Sequence, residues 1–253
     1  MTKTDAPNGW LEDFAHTGSK DVGVIFVHGF TGSPASMRPW AHYFMDREYT
    51  VRVPRLPGHA RKWQDLNQTQ WQEWPAKVAH ELMQLRKECH QVFIFGLSMG
   101  GCTTLNVAEN NKVDGLVLVN PMIHIPGIKI HFAPLIARIQ PGMPAVGDDI
   151  KKPNTTEWAY HKLPTKGVIQ LNKMLKATRS DLHKVIAPTL LFHSAEDHVL
   201  PVSNTEIVMA GIASPQKERV ELMNSYHVAT MDNDAEIIFQ KSESFVEKLV
   251  NPV

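Results

Sequence analysis

The sequence predicts an α/β fold: a mostly parallel, doubly wound sheet in a single domain spanning 1–253, with one insertion at about 121–187. Three observations predict it. Short β-branched runs alternate with longer amphipathic ones, the order that repeated strand–helix–strand units produce. Several short runs are apolar at nearly every position, as strands buried on both faces must be, rather than alternating as a half-solvated strand does. The stretch from Pro121 to about Ala187 is too long for a simple connection between two strands, and its shape is that of a cap laid over one edge of the sheet.

Taken in order, VGVIFVHG (22–29), TVRVPRL (50–56), QVFIFG (91–96), GLVLVN (115–120), PTLLFHS (188–194) and RVELMN (219–224) read as strands. Between them lie helices. The first opens at Ser33 with Pro34 as its first helical residue, where a missing N–H costs nothing, and Pro39 predicts a bend or restart. EWPAKVAHELMQLRKE, the segment after Ser98, SNTEIVMAGI and the closing AEIIFQKSESFVEKL carry the helical period. Within the insertion, a proline- and isoleucine-rich run, PMIHIPGIKIHFAPLIARIQPGMPAVG, leads through polar KKPNTTEWAYHKLPTK to the helix-like VIQLNKMLKATRSDLHKV.

Composition narrows the function classes. Lys plus Arg equals Asp plus Glu at 26 each, so no net field favours nucleic acid or an anionic membrane. The two cysteines, Cys89 and Cys102, are too few for a disulfide framework and suit a reducing cytoplasm, with Cys102 as buried packing. The start, MTKTDAPNGW, has no basic segment followed by an apolar one, and no apolar run spans a bilayer. Neither GxGxxG nor GxxxxGK[ST] occurs, so no nucleotide cofactor is expected. No HExxH or comparable spacing supports a metal; HELMQ at 80–84 lacks the second histidine, although His193, Asp197, His198 and His227 fall near one another in the reading.

The chemistry sits where strand QVFI runs into FGLSMGG (95–101). This fits G-x-S-x-G at a sharp strand-to-helix turn, which presents Ser98 outward on a strained backbone while glycines remove side chains that would collide. The helix start also gathers unpaired N–H groups suited to an oxyanion. A serine hydroxyl is a poor nucleophile near neutrality and needs a base, which in turn needs a carboxylate to orient it. Strand PTLLFHS ends into AEDHVLP, which offers Glu196 and Asp197; strand RVELMN ends into SYHVATMD, which offers His227. Both lie past strand carboxyl ends, where open α/β sheets place their sites. Of the two acids, Asp197 is the last acidic residue of the turn and is preferred over Glu196; the neighbouring His198 is assigned to loop packing or solvent. The oxyanion donors are the N–H groups of Met99, directly after the nucleophile, and Phe30, in the loop HGFTGSP; Gly29 allows a close approach and His28 hydrogen-bonds within that loop.

HGFTGSPASMRPWA, PRLPGH, GLSMGG, NPMIHIPG, EDHVLP and NSYHVATMD together resemble the bacterial monoacylglycerol lipases of the α/β-hydrolase fold and their carboxylesterase relatives, over about Gly23 to Leu249. The resemblance implies that fold, with a cap inserted after the sixth core strand region. It implies Ser98, Asp197 and His227 as a catalytic triad with Phe30 and Met99 at the oxyanion hole. It also implies that Glu157, in TTEWAY, contacts the glycerol hydroxyls and that Val146 lines the alcohol pocket. The chain departs from the pattern at PGHA, where relatives usually continue Gly-His-Gly and this sequence has Ala60.

The function expected is therefore a serine ester hydrolase acting on monoacylglycerols through an acyl-enzyme. Its partner is a small-molecule lipid ester; no nucleic acid, cofactor or metal is expected, and the apolar face of PMIHIPGIKIHFAPLIARI could line an acyl tunnel and touch a membrane surface transiently. A short- or medium-chain carboxylesterase or thioesterase with the same triad is the alternative within enzymes. Dehalogenases and epoxide hydrolases are disfavoured because they use aspartate where Ser98 stands. From a different class, the alternative is an inactive hydrolase-like ligand-binding protein, which has no need of all three residues.

Overall fold

A computed structural model describes residues 6–125, 140–145 and 147–251. Among them, seven strands form one sheet in the order β1-β3-β2-β4-β5-β8-β9. These are β1 (Phe14–His16), β2 (Val22–Val27), β3 (Thr50–Val53), β4 (Gln91–Leu97), β5 (Gly115–Val119), β8 (Thr189–Ser194) and β9 (Lys217–Leu222). All neighbours are parallel except β1, which pairs antiparallel with β3 through Phe14↔Val53 and His16↔Val51. The six strands read from the sequence are all present. Three-residue β1 is not among them, because so short a segment carries no period.

The buried faces explain the sheet. Along β2, Val22, Val24 and Phe26 enter one core cluster while Ile25 and Val27 enter the other, and along β4 Phe93 and Phe95 oppose Val92 and Ile94 in the same way. Side chains alternate across a strand, so a strand apolar throughout requires helices on both sides. On one face lie α1 (Arg38–Met45) and α6 (Ala235–Val250), whose Trp40, Phe44, Ile238 and Val246 join Phe26 and Phe95; Trp40 stacks on Phe95 with ring centroids 4.9 Å apart. On the other lie α2 (Glu73–Glu88), α3 (Met99–Ala108), α4 (Thr165–Asp181) and α5 (Ser203–Gly211). The expected restart at Pro39 takes the form of a 3-10 turn, Pro34–Met37, followed by α1. The ring of Pro39 then sits in the first helical turn, where its absent N–H leaves no bond unmade.

The segment between β5 and β8 contributes no strand to this sheet. It leaves after β5, the fifth strand along the chain rather than the sixth, since no further strand precedes it among the described residues. It holds its own antiparallel pair, β6 (Gly142–Pro144) with β7 (Lys162–Pro164), and then α4, which packs on α3. Most of the apolar run read as an acyl tunnel and membrane contact, residues 126–139, and the alcohol-pocket candidate Val146 lie outside the described residues. Among the described residues no helix is long and apolar enough to cross a membrane.

The topology fixes where chemistry can happen. From β2 the chain runs to β3 on one side and then crosses to β4 on the other. The strand order thus reverses between β2 and β4, and the crevice at their carboxyl ends is the place where such sheets bind ligands.

Candidate active site

Five loops meet at that edge, one from the carboxyl end of each of β2, β4, β5, β8 and β9. Ser98, between β4 and α3, takes φ 56° and ψ −119°, well outside the ordinary regions for a side-chain-bearing residue. Three amides hold its carbonyl, those of Gly101 (2.9 Å), Cys102 (3.3 Å) and Met122 (3.0 Å), while its own N–H donates to Val119 (3.0 Å). The two glycines permit the turn sterically: a Cβ on Gly96 would lie 2.5 Å from the Gly100 carbonyl oxygen, and one on Gly100 would run into the Val27 carbonyl.

His227, in the loop after β9, faces Ser98 with Nε2 2.9 Å from the hydroxyl. Its Nδ1 lies 2.8 Å from Oδ2 of Asp197, in the turn after β8. The other Asp197 oxygen accepts the Val199 and Leu200 amides, both at 2.8 Å. Glu196 turns away and pairs with Lys151 at 2.8 Å. Since Oδ2 can only accept, Nδ1 carries the proton and Nε2 is free to accept one from Ser98.

Electrostatics follow from this geometry. Burial pushes the Asp197 carboxyl up, but the His227 hydrogen bond and charge and the two amides outweigh it, leaving the group below its ordinary value and ionised. Burial likewise pulls His227 down, and the hydrogen bond and charge of Asp197, with Glu157 and Asp149 beside it, leave the imidazole above its ordinary value. The site is therefore built to stabilise a proton on His227.

The β2 loop supplies the next part. A Cβ on Gly29 would lie 3.3 Å from Ser98 Cβ, so this backbone packs directly against the serine. The Gly29 carbonyl accepts from His28 Nδ1 (3.0 Å) and from the Gly32 amide (3.3 Å). In a trans peptide the following N–H points opposite to that carbonyl, so the Phe30 N–H is turned the other way. Among the described residues neither it nor the Met99 N–H, which opens α3, has an acceptor. His28 is fully buried, its Nε2 accepts from the Leu56 amide at 3.2 Å, and burial pushes its pKa down to about 4. It is a neutral loop brace, as its position in the sequence suggested.

Glu157 reaches the same space. Its Oε1 accepts the Asp148 amide at 3.1 Å, and its Oε2 would lie 3.7 Å from a Cβ on Gly32. Burial pushes its carboxyl up, against the Asp148 amide and the His227 charge. A cavity of about 270 Å³ joins Ser98, His227, Phe30 and Glu157, with apolar walls that include Met122, Val168 and Leu171. That is close to the lower end of the ~300–1000 Å³ range of ligand pockets.

Other site histidines do different work. His198 pairs with Asp149 at 2.9 Å and packs on Tyr226, and His193 takes its Nδ1 contact with Thr205 at 3.1 Å. Among the described residues no group of three or more His, Cys, Asp or Glu is placed to hold a metal ion. Cys102 is buried and its thiol is pushed up to about 12 by burial, so it is inert packing. Ala60, where the glycine pattern breaks, adopts φ 57°, the left-handed backbone a glycine would take without strain.

Sequence reasoning missed Asn120 and Ser194. Asn120 Nδ2 donates to the His227 carbonyl (2.8 Å) and to Ser194 Oγ (2.9 Å), its Oδ1 accepts the Ser194 amide (2.8 Å), and Ser194 Oγ donates to the Tyr226 carbonyl (2.8 Å). Together they fasten the His227 loop to the ends of β5 and β8. The asparagine that closes the apolar run GLVLVN marks a strand end in the sequence, but nothing there marks it as a brace.

Comparison with known proteins agrees with this architecture. Residues 18–234 match the model of the Hydrolase_4 family, described as serine aminopeptidase, S33. The chain is 40% identical over 228 residues to the thermostable monoacylglycerol lipase of Bacillus sp. (strain H-257), covering 90% of this chain and 91% of that one. It is 23% identical to a carboxylesterase of Bacillus subtilis (strain 168) over 90% and 94% of the two chains. A solved structure from the metagenome-derived lipolytic enzymes LipS and LipT superposes with a TM-score of 0.91 at 34% identity, covering 95% of this chain and 98% of its own.

Proposed function

The chain belongs to the Hydrolase_4 family, and on that premise we propose that it is a serine ester hydrolase cleaving monoacylglycerols to fatty acid and glycerol through an acyl-enzyme. The observation that carries this reading is the continuous relay Ser98–His227–Asp197, with contacts of 2.9 and 2.8 Å, ending on a serine held at φ 56°.

In this reading His227 Nε2 takes the hydroxyl proton as Ser98 Oγ attacks the ester carbonyl. Asp197 stays ionised and holds the imidazolium. The carbonyl oxygen becomes an oxyanion against the Phe30 and Met99 N–H groups, each such donor contributing about 10²–10³ in rate. Collapse expels the glycerol oxygen, which leaves with the proton from His227. Water then gives its proton to His227, attacks the acyl-serine and releases the fatty acid, and Ser98 recovers its hydrogen.

Glu157 is the residue for the alcohol, accepting hydrogen bonds from the glycerol hydroxyls. Residues 121–187 act as the cap of a single domain, in keeping with the contribution of Glu157, Leu163, Val168 and Leu171 to the cavity wall. The free, buried Cys89 and Cys102 fit a reducing, cytoplasmic setting. The carboxylesterase relative favours one second reading, a short-acyl carboxylesterase with the same triad.

Hydrolysis of monoacylglycerols, triacylglycerols and p-nitrophenyl esters of graded chain length separates the two. The Ser98→Ala variant should lose about 10⁴-fold or more in rate while remaining folded, and a fluorophosphonate should label the wild type at Ser98. Retention of most of the rate in Ser98→Ala would refute the nucleophile, and folded protein that hydrolyses no ester would leave a binding protein.

A further inference from the structure

Two consecutive aspartates in the inserted segment face opposite ways. Asp148, at φ 56°, accepts from Thr156 Oγ1 (2.8 Å) and the Glu157 amide (2.7 Å), and its own N–H returns to Glu157 Oε1. Asp149 faces the relay. Its Oδ2 accepts the His227 amide (3.0 Å) and the His198 amide (3.3 Å), its Oδ1 contacts His198 Nδ1 (2.9 Å), and its carbonyl accepts the Val228 amide (3.1 Å). The stitching continues through Lys151 and Lys152. The Lys151 and Lys152 amides donate to Asp232, which also receives the Tyr226 amide, while Lys151 Nζ holds Glu196.

A carboxylate on a side chain only 12% exposed, bordering a cavity that Glu157 also borders, is costly to leave without partners. It is tolerable because the His227 and His198 amides and the His198 ring satisfy it, and hydrogen bonds to an ionised acceptor are about twice as strong as neutral ones. The amide of the base and the residue beside the acid thus share one anchor. Asp149 lies outside both β8 and β9, so the strand ends alone do not set the distance between those loops.

We propose that Asp149 is a positioning residue for the acid–base pair, holding the His227 loop and the Asp197 turn in register from the inserted segment and, through Asp148, tying that register to Glu157. The proposal rests on the roles given above to Ser98, Asp197 and His227. A misplacement of about 1 Å in such a relay costs on the order of 10²-fold in rate.

The groups facing His227 are Asp197 from the turn after β8 and Glu157 and Asp149 from the inserted segment; His198 faces Asp149, Asp148 faces Glu157, and Lys151 is occupied by Glu196. Asp149→Ala should lower kcat by about 10- to 100-fold with KM changed by less than about 3-fold, equally for a monoacylglycerol and a p-nitrophenyl ester. Asp149→Asn keeps an acceptor oxygen and should retain more of the rate. Both variants remove a negative charge near the imidazole, so the acidic limb of kcat/KM should move to lower pH, a shift that loss of folded protein would not produce. Wild-type kcat with an unmoved limb in Asp149→Ala would overturn the proposal, and if that variant does not fold, the same result in Asp149→Asn overturns it. Fluorophosphonate labelling of the wild type keeps the two readings apart: failure to label Ser98 removes the triad itself, whereas normal labelling with Asp149 variants that keep wild-type kcat and pH limb removes only the positioning role of Asp149.

Discussion

Replacing Glu157 with alanine tests substrate choice and electrostatics at once, because the carboxylate has two separable effects. Its Oε1 is held by the Asp148 amide, while among the described residues Oε2 accepts no hydrogen bond and borders the cavity. A glycerol monoester brings two hydroxyl donors to that oxygen, and a p-nitrophenyl ester brings none. Leaving such groups unpaired costs about 1–3 kcal/mol, or about 5- to 150-fold in kcat/KM, and only for the monoacylglycerol. The second effect is on His227, which Glu157 helps to hold above its ordinary pKa. A base must be neutral to accept the serine proton, so activity rises with pH through a midpoint above the usual histidine value, and removing the Glu157 charge moves that midpoint down for every substrate.

Measuring kcat/KM across pH for a monoacylglycerol and a p-nitrophenyl ester of the same acyl chain resolves both. On the alkaline plateau the limb shift vanishes and the remaining difference is recognition of the diol. Glu157→Gln should shift the limb but keep part of the selectivity, since an amide oxygen still accepts. Stability provides a control. The folded Glu157 pKa is raised, so ionising it costs the folded state, and wild-type stability falls as pH rises from the unfolded carboxyl value through the folded one. Glu157→Gln should therefore melt no lower than wild type at pH 8. Equal loss on both substrates at the plateau, or none on either, would refute the alcohol-site assignment.

Asp197→Asn should lower kcat by about 10⁴-fold, since an amide neither stabilises imidazolium nor enforces the tautomer, whereas Glu196→Gln should stay within a few fold because Glu196 faces Lys151; the reverse pattern in steady-state kinetics would exchange the two acids. Gly100→Ala should destabilise by about 3 kcal/mol, lowering the melting temperature by about 6–12 °C, because its methyl meets the Val27 carbonyl at the end of β2; an unchanged melt would show that α3 can move away from β2.

What the sequence made legible was whatever one segment could encode. The core strands announced themselves because burial on both faces demands a continuous apolar run, and α2 showed its apolar period, with Glu73 in its first turn and Arg86 and Lys87 in its last. Ser98 was legible because its turn needs small neighbours on both sides, Asp197 because it follows the apolar run of β8, and His227 because it follows the run RVELMN that forms the edge strand β9. β6 and β7 were not, since Pro144 and Pro164 argue against strands; an isolated two-stranded pair tolerates them because it has only edges. Asn120, Ser194 and Asp149 were illegible for a different reason. Their hydrogen bonds connect positions 74, 107 and 78 residues apart, and nothing in a local window marks a polar residue as a brace.

That difference separates two kinds of structural control. The apolar clusters on either face fix the sheet and so bring the ends of β4, β8 and β9 into one neighbourhood, but a strand end leaves its loop free to move by more than a hydrogen bond tolerates. The final placement comes from polar braces: Asn120 on the His227 carbonyl, Asp149 on the His227 amide, and the Val199 and Leu200 amides on Asp197. His227 is thus held at both its N–H and its C=O, by residues from different parts of the chain, while its ring is held by Asp197. Substitutions in the clusters should then spend their effect on stability, and substitutions in the braces should spend it on rate. The distinction follows from distance dependence: dispersion and burial vary gently over a few tenths of an ångström, whereas proton transfer between Ser98 and His227 does not.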